Sequence, residues 1–130
     1  MHTHKFIQLK HEAETWQRLL GFMAEENNYL KLRLAEVVNL SRDMQLVTAM
    51  ESYHQRLLTQ DVILEQLQID NRELEKLLNR ELFEDGPLEQ VVYKKLRNVR
   101  KDMHRVEQLF SQLKLDFNQF LTDRYDDSAS

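Results

Sequence analysis

Glu51 and His54 stand three residues apart in a stretch without Gly or Pro. Helical bundles use Glu-x-x-His at this spacing to hold carboxylate-bridged metals, because one helical turn brings the carboxylate and the imidazole to one side. Such a site needs further acidic ligands from other helices. Glu25 and Glu26 qualify if the chain reverses near residue 40, which sets them level with His54. Glu25, Glu26, Glu51 and His54 are therefore the candidate metal set. A reciprocal motif is harder to find. His104 and Glu107 have the reverse order, and a second reversal near Gly86 places His104 level with Leu67, thirteen residues from His54. Along a helix axis that is roughly 20 Å, too far for a shared ion. His2, His4 and His11 form another histidine group, read as solvated imidazoles at an N-terminus.

Other chemistry lacks its parts. Ser52 lies two residues from His54, and side chains so close in sequence on a helix diverge, so no triad forms. Both glycines are isolated, which excludes a phosphate-cradling loop. No catalytic residue, cofactor or small-molecule substrate is expected, and the chain reads as a non-enzyme.

The elements that would position these groups follow from composition. Two Gly and one Pro in 130 residues leave little material for turns, so elements must be few and long. Leu, Glu, Gln, Lys and Arg dominate, which are good helix formers. Cysteine is absent, excluding disulfides and thiolate metal sites. No signal-like or membrane-spanning apolar run is present, so a cytoplasmic location without membrane contact is expected.

Heptad letters (a and d inward) describe the pattern. Phe6, Ala13, Leu20, Asn27 and Leu34 fall at a, with Leu9, Trp16, Met23, Leu30 and Val37 at d. The pattern slips in "NLSRDMQ" (39–45), where Ser41 or Asp43 can cap a new helix, although one helix over about 5–82 is the alternative. Met50, Leu57, Leu64, Asn71 and Leu78 then occupy a, and Leu46, Tyr53, Gln60, Leu67 and Leu74 occupy d. "FEDGPLEQ" (83–90) ends that segment, with Gly86 leaving the helix and Pro87 opening the next. Leu96, Met103, Phe110 and Phe117 at a, with Val92, Val99, Val106, Leu113 and Phe120 at d, complete the third. Sustained 3-4 spacing predicts helices over about 5–39, 42–83 and 87–121. The predicted fold is all-α: an antiparallel up-down-up three-helix coiled-coil bundle filling 1–122, with a flexible acidic tail at 123–130. In this register Glu51 sits at outward b and His54 at flanking e.

"KHEAETWQRLLGFMAEENNYLKLRL" (10–34) and "ELFEDGPLEQ" (81–90) resemble a group of small uncharacterised bacterial helical proteins; the resemblance spans most of the chain and implies no activity. Trp16 also resembles the first-helix anchor of a spectrin-type repeat, in which Phe110 or Phe117 would supply the third-helix aromatic. That likeness is one of shape.

Charge divides along the chain. Residues 41–86 carry five basic and ten acidic residues, a net of −5, while 87–121 carry seven and four, a net of +3. Lys94, Lys95, Arg97, Arg100, Lys101 and Arg105 concentrate in the third helix. Spread around its outer side with Tyr93 as their one aromatic neighbour, they read as a solvated face complementing helix two, so nucleic acid is not an expected partner.

The informative residues are those left over. Leu58, Val62 and Ile69 lie on the outer side of helix two, and Leu32 and Leu115 are further outward leucines. Helix lengths also predict a first hairpin that continues about ten residues, roughly 15 Å, past the end of helix three. Leu34, Val37, Val38 and Leu40, with Met44, Leu46, Val47 and Met50, lie in that overhang. These eleven apolar positions, the eight of the overhang with Leu58, Val62 and Ile69, are the expected partner-binding surface. The functional reading is a helical interaction or structural module that self-associates or binds another helical protein. The alternative is a bundle metalloprotein. Asn27 and Asn71 interrupt the seams at a and are expected to specify register: Asn27 beside Tyr53 and His54, and Asn71 facing Val99, reached by water or rotated outward.

Overall fold

A computed structural model describes the backbone at 2–41, 43–84 and 89–129, and side chains at 4–41, 43–82 and 89–123. Every element among the described residues is helical: α1 (His2–Leu40), α2 (Met44–Glu84) and α3 (Glu89–Ala129). The Gly86–Pro87 joint lies outside the described residues.

The break between α1 and α2 is made by side-chain oxygens. The Ser41 amide closes α1 onto the Val38 carbonyl at 3.3 Å. Ser41 Oγ then accepts from the Asp43 amide at 3.1 Å, and Asp43 Oδ1 accepts from the Gln45 amide at 2.9 Å. Of the two expected caps, Asp43 is the one that satisfies an otherwise orphaned N–H of the new helix. These contacts separate two helices where one continuous rod was the alternative.

Contacts between helices fix their directions. Asn27 reaches Leu57 and Asn71 reaches Ala13, so α2 runs back along α1. The Tyr53 hydroxyl donates to the Asp116 carbonyl and Lys95 meets Asp70, so α3 runs back along α2. Arg100 pairs with Glu12 and Lys114 with Glu26, so α1 and α3 run together. The order is up-down-up.

The heptad seam is the core. Every a and d residue from Phe6 to Leu34 and from Val92 to Phe117 is buried, as are those of α2 from Met50 to Leu78 except half-buried Tyr53. Each fully buried leucine contributes roughly 1.5–3 kcal/mol by leaving water. The core has two clusters. Leu20, Met23, Leu64 and Val106 belong to one; Leu30, Leu34, Leu57 and Phe117 belong to the other. Buried Asn27 and Gln60 lie between them, a polar layer across an apolar core.

Both asparagines depart from their expected partners. The Asn27 side-chain amide donates to the Leu57 carbonyl at 2.9 Å and also to Asp61, which pairs with Lys31. The hairpin offset sets Asn27 beside Leu57, past Tyr53 and His54. Fully buried Asn71 turns to α1, not to Val99 or to water, and donates to the Ala13 carbonyl at 2.8 Å and Gln17 Oε1 at 3.2 Å. The cause is geometric. The a positions of α2 face α1, while its d residues Tyr53 and Gln60 donate to α3 carbonyls. Moving 44 residues along the chain carries Ala13 to Leu57, Gln17 to Asp61 and Asn27 to Asn71. The two clamps are thus related by a local two-fold, each helix offering one asparagine and receiving one.

The expected overhang is largely closed. Helix α3 runs to Ala129, eight residues beyond Leu121, where the expected acidic tail lies. Phe117, Phe120 and Leu121 join the cluster that holds Leu34, Val37, Val38, Leu46 and Met50. Leu34 and Met50 are buried within their own chain, and Leu40 and Met44 remain 86% and 75% exposed at the hairpin tip.

Gly21 lies inside α1 without a structural need for glycine, since an added Cβ would meet nothing within 4 Å. Gly21→Ala is expected to stabilise the fold by about 1 kcal/mol through helix propensity alone. Urea denaturation checks it, and an unchanged or lower midpoint refutes it.

Candidate interaction surfaces

The proposed metal ligands do not converge. Glu26 turns to α3 and pairs with Lys114 at 2.9 Å, and Glu25 is exposed. Glu51 and His54 line a hollow of about 350 Å³ between α1 and α2, in company with Lys31, Leu34, Val38 and Met50. A lysine ammonium in the same hollow disfavours a cation there. Among the described residues no three His, Cys, Asp or Glu side chains could hold one metal ion. His4 and His11 are exposed, and His11 Nδ1 lies 3.4 Å from Glu14.

The basic segment is partly used within the molecule. Lys95 pairs with Glu73 at 2.8 Å and Asp70 at 3.5 Å, and the Glu73 hydrogen bond raises its pKa above the ordinary lysine value. Arg100 pairs with Glu12 and lies over the Trp16 ring. The complementarity expected between α2 and α3 thus extends to α1.

An apolar relief lies between α2 and α3. Val62, Ile63, Leu67, Val106 and Leu109 line a hollow of about 410 Å³, bordered by Asp70, Asp102 and Arg105. A second hollow shares Ile63 and Leu109 and extends to Ser52, Arg56 and Leu113, so the two make one furrow. From Ser52 to Asp70 it runs 18 residues of α2, roughly 27 Å or five helical turns. Its ends are pinned by ion pairs, Arg56 to Asp116 at 3.0 Å and Lys95 to Asp70. The Gln112 amide and the Arg56 guanidinium hold the Asp116 carboxyl below its ordinary pKa. Between the ends the apolar lining includes Val62, 67% exposed, and Leu109, also open to solvent, with Gln55, Thr59, Gln60 and Gln66 interspersed.

Sequence reasoning found Leu58, Val62 and Ile69 and noted Leu32, but passed over the surface to which Leu32 belongs. Phe22 and Tyr29 on α1 are 57% and 52% exposed, flanked by exposed Leu19 and Leu32. Two aromatics seven residues apart at heptad position c, outside the seam, were the available signal.

Among the described residues no helix is long and apolar enough to cross a membrane. Comparison with protein-family models, curated proteins and solved structures gives no match. The surfaces themselves must carry the functional reading.

Proposed function

We propose that this chain is a non-enzymatic helical interaction module whose α2/α3 furrow receives an amphipathic helix and through which it self-associates. The observation that supports this most is Val62, a β-branched apolar side chain two-thirds exposed on the edge of a five-turn furrow floored by Ile63 and Leu109. An inter-helix furrow with an apolar floor and polar rims is the shape that helix-in-groove recognition uses. Single exposed leucines are ordinary on protein surfaces; an aligned set is less so. Of the surface expected from sequence, Val62 lines this furrow and Leu58 and Ile69 are exposed outside its lining, whereas Leu34 and Met50 already serve the core.

Sedimentation equilibrium tests the reading. The native chain is expected to exceed 15.7 kDa in apparent mass as concentration rises. Val62→Glu places a carboxylate on the furrow and is expected to weaken association by about 100-fold or more, with helicity and melting unchanged. A native chain that stays monomeric, or a variant that associates as well as the native chain, refutes the proposal.

A further inference from the structure

The furrow and the α1 stripe complement one another in length, apolar content and charge order. Leu19 to Leu32 spans 13 residues of α1, roughly 20 Å, and so fits within a furrow of roughly 27 Å. Its centre, Phe22 and Tyr29, offers two large apolar rings, and the furrow floor of Ile63 and Leu109 has no aromatic of its own. Exposed Arg18 precedes exposed Glu25 by seven residues along the same edge of the stripe. At one end the furrow presents Asp102 and Asp70, the latter shared with Lys95, and Arg105 follows Asp102 on α3. Laid parallel to α3, the stripe brings Arg18 towards the two aspartates and Glu25 towards Arg105. The reversed orientation sets Arg18 against Arg105. Charge order therefore selects one direction, as rim charges do at protein interfaces.

We infer that the occupant of the furrow is the outer face of α1 from a second copy of this chain, inserted parallel to α3. The inference rests on the furrow being a helix-binding site, and it names the helix. Its consequence follows from symmetry. Stripe and furrow are different surfaces of one molecule, so the contact is head-to-tail, and each added copy leaves one stripe and one furrow open. Assembly then grows beyond the dimer instead of stopping at two, unless the rotation between copies closes a ring.

Two single variants and their mixture test this. Phe22→Glu disables the stripe and Val62→Glu disables the furrow, both at exposed positions where the fold should be unaffected, which circular dichroism verifies. By sedimentation the native chain should form species larger than two copies, and each variant alone should remain at 15.7 kDa. An equimolar mixture should recover a single 1:1 dimer of twice that mass, because one intact stripe meets one intact furrow and both remaining surfaces are disabled. Pairing Glu25→Arg with Arg105→Glu should restore association that Glu25→Arg alone reduces by about 10-fold, the scale of one charge pair worth roughly 1.4 kcal/mol. If Val62→Glu blocks association while Phe22→Glu does not, the furrow binds something other than the α1 stripe and the inference falls alone. If both variants block it and their mixture stays monomeric, the contact is not head-to-tail and the inference also falls. A native chain that stays monomeric removes both the inference and the furrow reading.

Discussion

Asn71→Asp is expected to destabilise the protein by about 3–5 kcal/mol at neutral pH, a large share of the 5–15 kcal/mol that holds a typical domain folded. The exchange keeps the side chain's shape, so no cavity forms and the effect isolates polarity. The native Asn71 amide donates to the Ala13 carbonyl and to Gln17 Oε1, and Glu75 Oε1 lies 3.5 Å away. A carboxylate in its place is an acceptor facing acceptors, fully buried and beside another acid. Burial and Glu75 both oppose ionisation, so the new carboxyl has its folded-state pKa above its unfolded value near 3.9. The sign follows. A raised pKa means that the variant keeps its stability below about pH 4 and loses it as pH rises towards the folded pKa. Urea denaturation at pH 4 and pH 7, each referred to the native chain, should show the deficit mainly at pH 7. An equal deficit at both values would mean that charge is not the cause. Asn71→Leu is the matching control. It removes the clamp without burying a charge, and Asn71 Oδ1 has no partner to lose, so its cost should be far smaller. What the leucine variant gives up is the directional bond that ties one level of α2 to one level of α1.

Phe117→Ala is expected to cost about 3–5 kcal/mol, the usual range for a fully buried aromatic. Phe117 is 1% exposed and meets the Tyr53 ring edge-on at 5.4 Å between centroids. It anchors the end of α3 among Leu30, Leu34, Met50 and Leu57. The polar layer of Asn27 and Gln60 separates that cluster from the other, so the damage should be uneven. Amide hydrogen exchange is expected to accelerate around 30–57 and 113–121 before it does around 64–78 and 92–106. Uniform acceleration along all three helices would show that the two clusters unfold as one.

Most of the architecture was legible in the sequence because a heptad repeat is a property of one helix at a time. Phe6 through Leu34 and Val92 through Phe117 could be assigned to the core without knowing their neighbours, and all their a and d positions are buried. The α1–α2 break was legible for a similar reason, since capping by Asp43 is local. Position along the seam was a different matter. Whether Asn27 meets His54 or Leu57 depends on the offset between antiparallel helices, which a few residues of turn geometry set and periodicity leaves open. The expectation about Asn71 failed because heptad letters specify inward but not which neighbour lies inward. Tertiary packing decides that α2 a positions face α1 and its d positions face α3. The candidate surfaces divide in the same way. Val62 stood out as an apolar residue on an outward face, but its place at a furrow needed α3 and Leu109 set against it. The overhang was inferred from where periodicity stopped, and its cover comes from Phe117, Phe120 and Leu121 of α3, whose axial level against the hairpin is left open by periodicity. Side-chain periodicity records which face leaves water; backbone offset, set by contacts distant in sequence, records what that face meets.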